Sequence, residues 1–297
     1  MSISRQNLSI VIVSFFSEEV IHKCIKSIPN DIKVIVVDNS GNEKFKSSIE
    51  QKYNNVECVL SSENSGMGAG NNQGLKYSNT DYTLILNPDV ILENNTIDEL
   101  INASNNIESF AIIAPVINSD KNLNYKLLDH YKTNPNFSNP FKVKSVDGFA
   151  MLLNVKKINQ LYNFKNFEFF DKNFFLYLEN DDFCKRLIDI NENIYVVPKS
   201  KINHLGGKAV IEKFSDQIEL SRNWHWIWSK FYFQRKHKSY LTALVFGFPT
   251  FLSAILKYIL YLITLNSKKR AIYLHRAMGY MNAALGRKSY LRPNIKI

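Results

Sequence analysis

Residues 8–13 read Leu-Ser-Ile-Val-Ile-Val, an apolar run rich in β-branched side chains. Such a run predicts a strand buried on both faces of a sheet. A helix is predicted next, because Ser17 can cap it and apolar side chains recur at helical spacing until Pro29. Further strands are predicted at residues 34–37, 56–60, 82–86 and 110–114, and further helices at 45–53, at 72–77 and from a capping box at 96–99. This alternation predicts a doubly wound α/β sheet through about residue 115.

The pattern is less regular after that point. Residues 118–145 are rich in Asn, Lys and Pro and predict a long surface excursion. Two strands and a helix are then predicted, at residues 146–153, 194–197 and 179–190. We expect the helix to turn Phe183, Leu187 and Ile190 inward, since they recur at helical spacing.

The C-terminal part has a different character. Residues 240–265 are almost wholly apolar, interrupted by Lys257 and by Gly247-Phe248-Pro249, and basic residues crowd both flanks. The length would allow one membrane span. The interruptions favour a helical hairpin lying in the membrane interface, and an ordinary buried helix pair is the alternative.

The composition limits the partners and the compartment. A hydrophobic content of 45% is ample for a core, while a net charge of +10 and a pI near 9.3 point to nucleic acid or an anionic membrane surface. The three cysteines are far apart and in no metal-binding spacing, which indicates buried thiols in a reducing compartment. A strand-like run begins within ten residues of the start, without a signal peptide before it, so we expect the cytoplasm.

Two polar segments follow predicted strands. Asp38 stands in an Asp-Asn-Ser turn, where it could accept a nucleobase N–H or satisfy its own backbone. The glycine-rich segment 64–74 fits neither a dinucleotide fingerprint nor a P-loop. Its small residues would let a ligand approach the backbone closely, and a structural tight turn is the alternative.

Candidate metal ligands follow later strands. In Asn87-Pro88-Asp89 the proline stops a strand, so Asp89 should be a surface carboxylate at the sheet edge. Mg²⁺ or Mn²⁺ bind through few carboxylates plus substrate phosphates. His204 is followed by two glycines that leave it room to reach a metal or a phosphate, although a lone histidine is more often structural.

An acidic cluster opens the predicted helix at 179. Glu179 and Asp182 are three residues apart and share one helix face, and Arg186 is one turn beyond Asp182. The segment before them is rich in Phe, and such an apolar wall can raise a carboxyl pKa toward the range useful to a general base. The alternative is a solvated, self-paired face.

Taken together, these segments resemble the family-2 inverting glycosyltransferases of GT-A fold, most of all the rhamnosyltransferase-like branch that builds bacterial O-antigen and other surface polysaccharides. The resemblance covers roughly residues 8–210. It implies a catalytic domain at 1–210, with a nucleotide-sugar half at 1–115 and an acceptor half at 116–210. A helical, membrane-associating region would follow at 211–297.

The resemblance also implies roles for single residues. Residues that would bind the nucleotide sugar are Ser14, Asp38, Asn39, Asn64, Gly68, Asn71, Asn72 and Asp89. Asp89 takes the place of the last Asp of the family's D-x-D motif, and His204 would complete a Mn²⁺ or Mg²⁺ site. Asn87 stands where many relatives carry the first Asp of that motif, which leaves one carboxylate there.

The second departure concerns the base. The family's Glu-Asp pair, whose Asp is the base, reads Glu179-Asn180 here, and an amide cannot accept the proton. The base is then Asp182, Asp181 or Glu179, and Asp182 is preferred because Arg186 can hold it in place and ionised.

The sequence thus predicts a metal-dependent inverting glycosyltransferase that acts on a polyprenyl-diphosphate-linked saccharide. It would be peripheral on the inner face of the plasma membrane, with no nucleic-acid partner. A sugar-phosphate nucleotidyltransferase is one alternative, but that class would favour a basic glycine-rich loop directly after the first strand, where Ser14-Phe15-Phe16 stands. A nucleic-acid-binding protein is the other, and it would spread Lys and Arg over one face of the sheet domain.

Overall fold

A computed structural model describes residues 2–119, 123–129, 138–162, 169–206, 214–293 and 295. Its contacts divide the chain into two compact units. A sheet unit comprises Met1–Asp171 and Asn180–Ile211, and a helical unit comprises Lys172–Glu179 and Glu212–Ile297. The predicted domain boundary at 210 falls outside the described residues.

The sheet unit is built on one large mixed sheet. Its strands are β1 (Leu8–Ser14), β2 (Lys33–Asp38), β3 (Val56–Leu60), β4 (Tyr82–Leu86), β5 (Val90–Leu92), β6 (Ile112–Ile117), β8 (Phe141–Lys142), β10 (Ala150–Asn154) and β11 (Ile194–His204), while β7 (Tyr125–Lys126) and β9 (Ser145–Val146) form a separate pair. The order is β3-β2-β1-β4-β10-β6-β11-β5, and β8 also pairs with β11. Strands β1 to β4 are parallel, whereas β10 runs antiparallel to β4 and β6.

Helices cover both faces of this sheet. The helices are α1 (Glu18–Lys26), α2 (Glu43–Lys52), α3 (Met67–Tyr77), α4 (Thr96–Asn106), α5 (Val155–Tyr162) and α6 (Glu179–Asp189). Apolar side chains of α1, α2 and α4 pack on one face, and those of α3, α5 and α6 on the other. Alternate residues of the β1 run accordingly enter different cores, Ile10 and Ile12 in one and Val11 and Val13 in the other. The predicted doubly wound α/β sheet is confirmed.

The glycine-rich segment differs from its prediction. Helix α3 begins at Met67 rather than at residue 72, so Gly68 lies inside a helix and not in a loop. A Cβ at Gly70 would come within 2.8 Å of Val13, and one at Gly74 within 2.3 Å of Val11. The glycines at these two positions therefore allow close packing of α3 on β1, which outweighs their low helix propensity.

The predicted helix caps also need correction. Ser17 is the N-cap residue of α1 but makes no capping hydrogen bond with its side chain. Thr96 lies within α4, whose N-cap is Asn95, and its hydroxyl donates to the carbonyl of Lys201 on β11 instead of closing a capping box. Ile190, expected inward, is 43% exposed because α6 ends at Asp189.

The described part of the predicted surface excursion is more ordered than expected. Strands β7 and β8 lie within it, and β9 begins at its last residue. Phe141 and Val143 are buried in the core under β11. Residues 120–122 and 130–137 of the same segment fall outside the described residues.

The helical unit consists of three long helices and the segment Lys172–Glu179. The helices are α7 (Ser215–His237), α8 (Tyr240–Ile263) and α9 (Ser267–Ala284). Its core is aromatic, with Trp224, Trp228, Phe231 and Tyr280 buried together. The predicted helical C-terminal region is confirmed.

The predicted helical hairpin is wrong. Helix α8 is continuous over 24 residues with Pro249 inside it, since one proline removes a single backbone hydrogen bond and does not reverse the chain. Gly247 lies against Tyr280 of α9, where a Cβ would come within 2.5 Å of the ring. In the described chain, α8 is the one helix long and apolar enough to cross a membrane.

Candidate active site at the carboxyl edge of the sheet

Asp89 and His204 meet at the carboxyl end of β4. Strand β5 follows Asp89 directly and pairs antiparallel with β11, which places His204 opposite Val90. The amide of Leu205 donates to the carbonyl of Asp89 at 3.0 Å. These backbone contacts bring His204 Nε2 to 3.3 Å from Asp89 Oδ1, although the two residues are far apart in sequence.

The Asp89 carboxylate is buried, with 2% of the residue exposed, and is not the surface group that was expected. Its Oδ1 has no hydrogen bond among the described residues, and the contact with His204 is within ion-pair distance without hydrogen-bond geometry. The His204 ring stacks on Phe149 with centroids 4.2 Å apart, which fixes its orientation. Burial and the negative charge of Asp89 also raise the pKa of the Cys24 thiol beneath it.

A divalent cation fits this pair as a site with few protein ligands. Within the described residues, no group of three His, Cys, Asp or Glu side chains could hold a metal. One buried carboxylate oxygen without a hydrogen-bond donor and one imidazole nitrogen nevertheless lie 3.3 Å apart. Mg²⁺ and Mn²⁺ accept such partial protein coordination when substrate phosphates supply the other oxygens.

A cluster of charged residues joins the segment before β10 to helix α6. Lys126 on β7 contacts Asp181 on α6, with Nζ and Oδ1 2.5 Å apart. Asp147 follows β9, which pairs with β7. Its burial and the nearby charge of Asp181 raise the pKa of the Asp147 carboxyl, while Lys126 and His204 act in the opposite direction. Asp147 is therefore close enough to all three groups to interact with them electrostatically.

Asn180 holds this segment in place. Its side-chain amide donates to the carbonyl of Val146 at 2.8 Å, and its Cβ would lie 3.2 Å from a Cβ at Gly148. Asp147 is thus flanked on both sides by residues that contact Asn180. A carboxylate at position 180 could not donate this hydrogen bond, so the amide has a structural function that an Asp would lack.

The preferred base, Asp182, lies in a different environment. It has 0% exposure, and its Oδ2 accepts from Arg186 Nε at 2.9 Å. Arg186 also donates to the backbone carbonyl of Phe169. The expected contact between Asp182 and Arg186 is present, but it leaves the carboxylate enclosed, so an acceptor hydroxyl cannot reach it in this conformation.

Asp181 and Glu179, the other two candidate bases at the start of α6, differ in position. The side chain of Asp181 is 15% exposed and keeps one oxygen beside Lys126. Glu179 is the first residue of α6 and is 9% exposed, and it belongs by its contacts to the helical unit.

Ser14 and Asp38 are register partners at the ends of β1 and β2. The Asp38 carboxylate is buried and accepts three local hydrogen bonds, from the Ser40 amide, the Ser40 hydroxyl and the Asn42 amide. This arrangement corresponds to the turn-forming alternative. Ser14 Oγ is buried and has no hydrogen-bond partner among the described residues.

The amides predicted to bind the nucleotide sugar are used in different ways. Asn72 binds the backbone of Phe170 twice, at 2.6 and 2.9 Å, so its polar atoms are already engaged within the protein. Asn39 donates to the carbonyl of Gly66, and Asn64 accepts from the Gly66 amide, so both shape the turn into α3. Asn71 Oδ1 is buried without a hydrogen-bond partner in the described chain, which leaves it an acceptor for a ligand.

Comparison with known proteins shows the family of the chain. The sequence profile described as "Glycosyl transferase family 2" matches residues 9–178, more than half of the chain. The chain belongs to this family. The match includes Asp38 and Asp89 but ends directly before the acidic cluster.

One curated relative is a low-salt glycan biosynthesis hexosyltransferase, Agl10, from Haloferax volcanii. It is 27% identical over 206 residues, which cover 63% of this chain and 64% of the relative. The match therefore spans less than two-thirds of that protein's length.

Two solved structures share the fold. GalNAc-T7, solved with UDP, GalNAc and Mn²⁺, superposes with a TM-score of 0.53 at 14% identity, covering 80% of this chain and 56% of that one. Residues 1–349 of TarS from S. aureus, solved with UDP-GlcNAc, superpose with a TM-score of 0.51 at 12% identity, covering 96% and 93%. These similarities support the GT-A-like fold of the sheet unit.

Sequence reasoning missed three residues of the site: Lys126, Asp147 and Phe149. The Gly148 region contributes to the resemblance, but nothing in the spacing connects Asp147 with His204. Lys126 lies in a segment whose composition indicated only a surface excursion. The two-residue strands β7 and β9 bring these residues together, and they are too short to leave a periodic pattern.

Proposed function

We propose that this chain is a glycosyltransferase that moves a hexosyl group from a nucleoside-diphosphate sugar to a saccharide acceptor. The observation that carries the proposal is the buried Asp89 carboxylate facing His204 at the carboxyl end of parallel strands. Ligands of open α/β sheets bind at that edge. Family membership and the UDP complexes of the two structural neighbours support a nucleotide-sugar donor.

We assign metal binding to Asp89 and His204. A bound Mg²⁺ or Mn²⁺ would neutralise the charge that develops on the departing nucleoside diphosphate. Asn71 and Ser14 each keep a buried oxygen without a hydrogen-bond partner among the described residues, and this supports our assignment of both to donor binding.

Deprotonation of the acceptor is assigned to the pair Asp147 and Asp181. Asp182 is enclosed, so the preference moves from it to these two carboxylates. Asp181 is paired with Lys126, whereas burial and the negative charge of Asp181 raise the pKa of Asp147, so we take Asp147 as the proton acceptor. Direct displacement by the deprotonated hydroxyl would invert the configuration of the transferred sugar.

The finer identity of the substrates rests on the resemblance. A rhamnose donor and a polyprenyl-diphosphate-linked acceptor in surface polysaccharide synthesis are our working assignment. Membrane association is supported by the C-terminal part, since residues 212–297 carry 15 Lys and Arg against three Asp and Glu, and α8 exposes most of its large apolar side chains. Each basic residue near an anionic leaflet contributes about 1 kcal/mol. We place the protein at the cytoplasmic face of the membrane.

The test is identification of the product. The protein is incubated with a panel of nucleotide sugars and lipid-linked saccharides, and mass spectrometry and NMR give the product and its anomeric configuration. We expect one sugar to be transferred with inversion. Of Asp147→Asn and Asp181→Asn, the variant that removes the proton acceptor should lower turnover roughly 10²–10⁴-fold. Retention of configuration, or full turnover in both variants alongside loss in Glu179→Gln, would contradict the assignment.

A further inference from the structure

The helical unit contains a cavity that the proposed chemistry does not use. It has a volume of about 110 Å³, which is room for several waters and therefore for a phosphoryl group. The cavity lies between the C-terminal part of α7 and the residues that follow α9. Its lining includes three cations and an aromatic wall: Arg235, Arg287, Lys288, Trp228, Phe231 and Tyr232.

The three cations have no carboxylate partner in the described part of the chain. Asp216 and Glu219, at the start of α7, are both bonded to Lys268. Residues 220–297 contain no Asp or Glu at all. The positive charge around this cavity is therefore not neutralised within the helical unit.

The backbone holds two of the cations in position. Helix α9 ends in a Schellman motif, in which Gly286 N donates to Ala283 O and Arg287 N donates to Asn282 O. Gly286 has a φ of +71°, which only glycine adopts easily. Trp228 Nε1 donates to the carbonyl of Arg287 at 3.0 Å, and this bond fixes the turn against α7. Arg287 and Lys288 are thus presented to the same cavity as Arg235.

Two residues that line the cavity contact the first residue of the apolar helix α8. Phe231, which lines the cavity, packs edge-on against Tyr240 with centroids 5.9 Å apart. Arg235 lies over the Tyr240 ring at 6.0 Å. Leu241, which follows Tyr240, and Val245, one turn further along α8, are 69% and 61% exposed. A site for an anion therefore adjoins an exposed apolar surface.

We propose that this cavity binds the diphosphate of a lipid-linked acceptor, with the lipid chain lying along the exposed face of α8. Two phosphoryl groups match three cations better than the single phosphate of a phospholipid, and guanidinium groups bind phosphoryl oxygens through paired hydrogen bonds. The acceptor class rests on the proposed function, whereas the preference for a lipid diphosphate can be tested without any sugar transfer.

The test is a flotation assay with the full chain and phosphatidylcholine vesicles. One set contains polyprenyl diphosphate, and the other contains phosphatidylglycerol at the same surface charge. We expect Arg287→Gln/Lys288→Gln to lose about 10-fold of the affinity for diphosphate vesicles while binding phosphatidylglycerol vesicles nearly as the unchanged protein does. The matched control is Lys269→Gln/Arg270→Gln, which removes two charges from the other end of α9 and should weaken both kinds of binding equally.

Inorganic diphosphate, added at constant ionic strength, should compete with the diphosphate vesicles. Two double variants that behave alike on both vesicle types would show general charge attraction and overturn the site. Equal affinity for free and lipid-linked diphosphate would overturn the role of α8. Because the assay contains no donor sugar, a failure of the proposed transfer reaction leaves its result unaffected.

Discussion

The sheet unit and the helical unit use charge in opposite ways. Residues 1–171 and 180–211 carry 21 Lys and Arg against 23 Asp and Glu, whereas residues 172–179 and 212–297 carry 16 against four. In the sheet unit, several carboxylates are buried at strand ends or helix starts, among them Asp38, Asp89 and Asp182. The difference indicates that most buried carboxylates belong to the sheet unit and that the net positive charge of the whole chain belongs to the helical unit.

Exposed apolar surface follows the same division. Among the described residues, four large exposed hydrophobic side chains lie in the sheet unit and 18 in the helical unit. Soluble surfaces rarely concentrate apolar side chains to this extent unless they bind something. The distribution of basic residues also gives no support to a nucleic-acid surface on the sheet, since the excess of Lys and Arg lies elsewhere.

The largest effect should come from a buried carboxylate of the sheet unit. We expect Asp89→Ala to lower transfer roughly 10²–10³-fold, because it removes leaving-group stabilisation of several kcal/mol. Its melting temperature should not fall, since the variant removes a buried carboxylate whose Oδ1 has no hydrogen bond in the described chain. Mn²⁺ should raise the melting temperature of the unchanged protein and not that of the variant.

Asp189→Asn is the matched control, as that carboxylate is exposed and bonded only to Lys185 among the described residues. Equal stabilisation of Asp89→Ala by Mn²⁺ would remove Asp89 from the metal site.

The second effect concerns the apolar surface of α8. Leu252 and Leu256 are 46% and 59% exposed and one helical turn apart. Replacing both by Glu should lower partitioning into anionic vesicles about 100-fold, since each inserted Leu contributes about 1.5–3 kcal/mol. Donor hydrolysis should be unchanged.

Leu123 and Leu161 of the sheet unit, 48% and 41% exposed, provide the control when changed in the same way. Should that pair weaken membrane binding as much, the division between the units would be wrong.

The third effect tests whether the helical unit has its own response to pH. Burial lowers the pKa of His225 to about 4, and its Nε2 lies 2.7 Å from the carbonyl of Leu291. The unfolded chain binds a proton on His225 more tightly than the folded protein does. The contribution of neutral His225 to the stability of the fold is therefore complete above about pH 6.5 and is lost as the pH falls toward 4. We expect the free energy of unfolding of the helical unit to fall by about 2 kcal/mol between pH 6.5 and 5.

All three tryptophans lie in α7, so their fluorescence during urea unfolding reports on this unit alone. His225→Gln should be less stable at pH 7 and should lack most of the pH dependence. If His225→Gln kept the pH dependence of stability, another titratable group would be its cause.

The sequence predicted the first half of the sheet well, for a physical reason. Strands β1 to β4 are mostly apolar, and α1 and α2 carry apolar residues at helical spacing, so local pattern and final packing agree. Helix α3 was predicted too short because its three glycines count against a helix. The close packing of Gly70 and Gly74 on β1 is a tertiary effect that propensity does not contain.

The candidate site could be predicted only as separate residues. The contact between Asp89 and His204 depends on the pairing of β5 with β11, and β5 is three residues long. The resemblance named both residues, but the spacing alone could not place them together. For Asp182, the sequence correctly predicted the partner Arg186 but could not show that the carboxylate is enclosed.

The smallest effect should appear in the pH profile of the sheet unit. If Asp147 accepts the proton, activity rises with pH as this carboxyl ionises, and its raised pKa sets the acid limb. Lys126 lowers that pKa, so Lys126→Gln should move the acid limb to higher pH, by less than about one unit. Lys144→Gln is the control, because Lys144 is bonded to Asp129 and is not among the charges that act on Asp147. A shift to lower pH, or an equal shift in Lys144→Gln, would mean that the limb belongs to a different group. Since only the sheet unit carries this cluster, the profile should stay the same in Leu252→Glu/Leu256→Glu, where membrane binding changes and the acids do not.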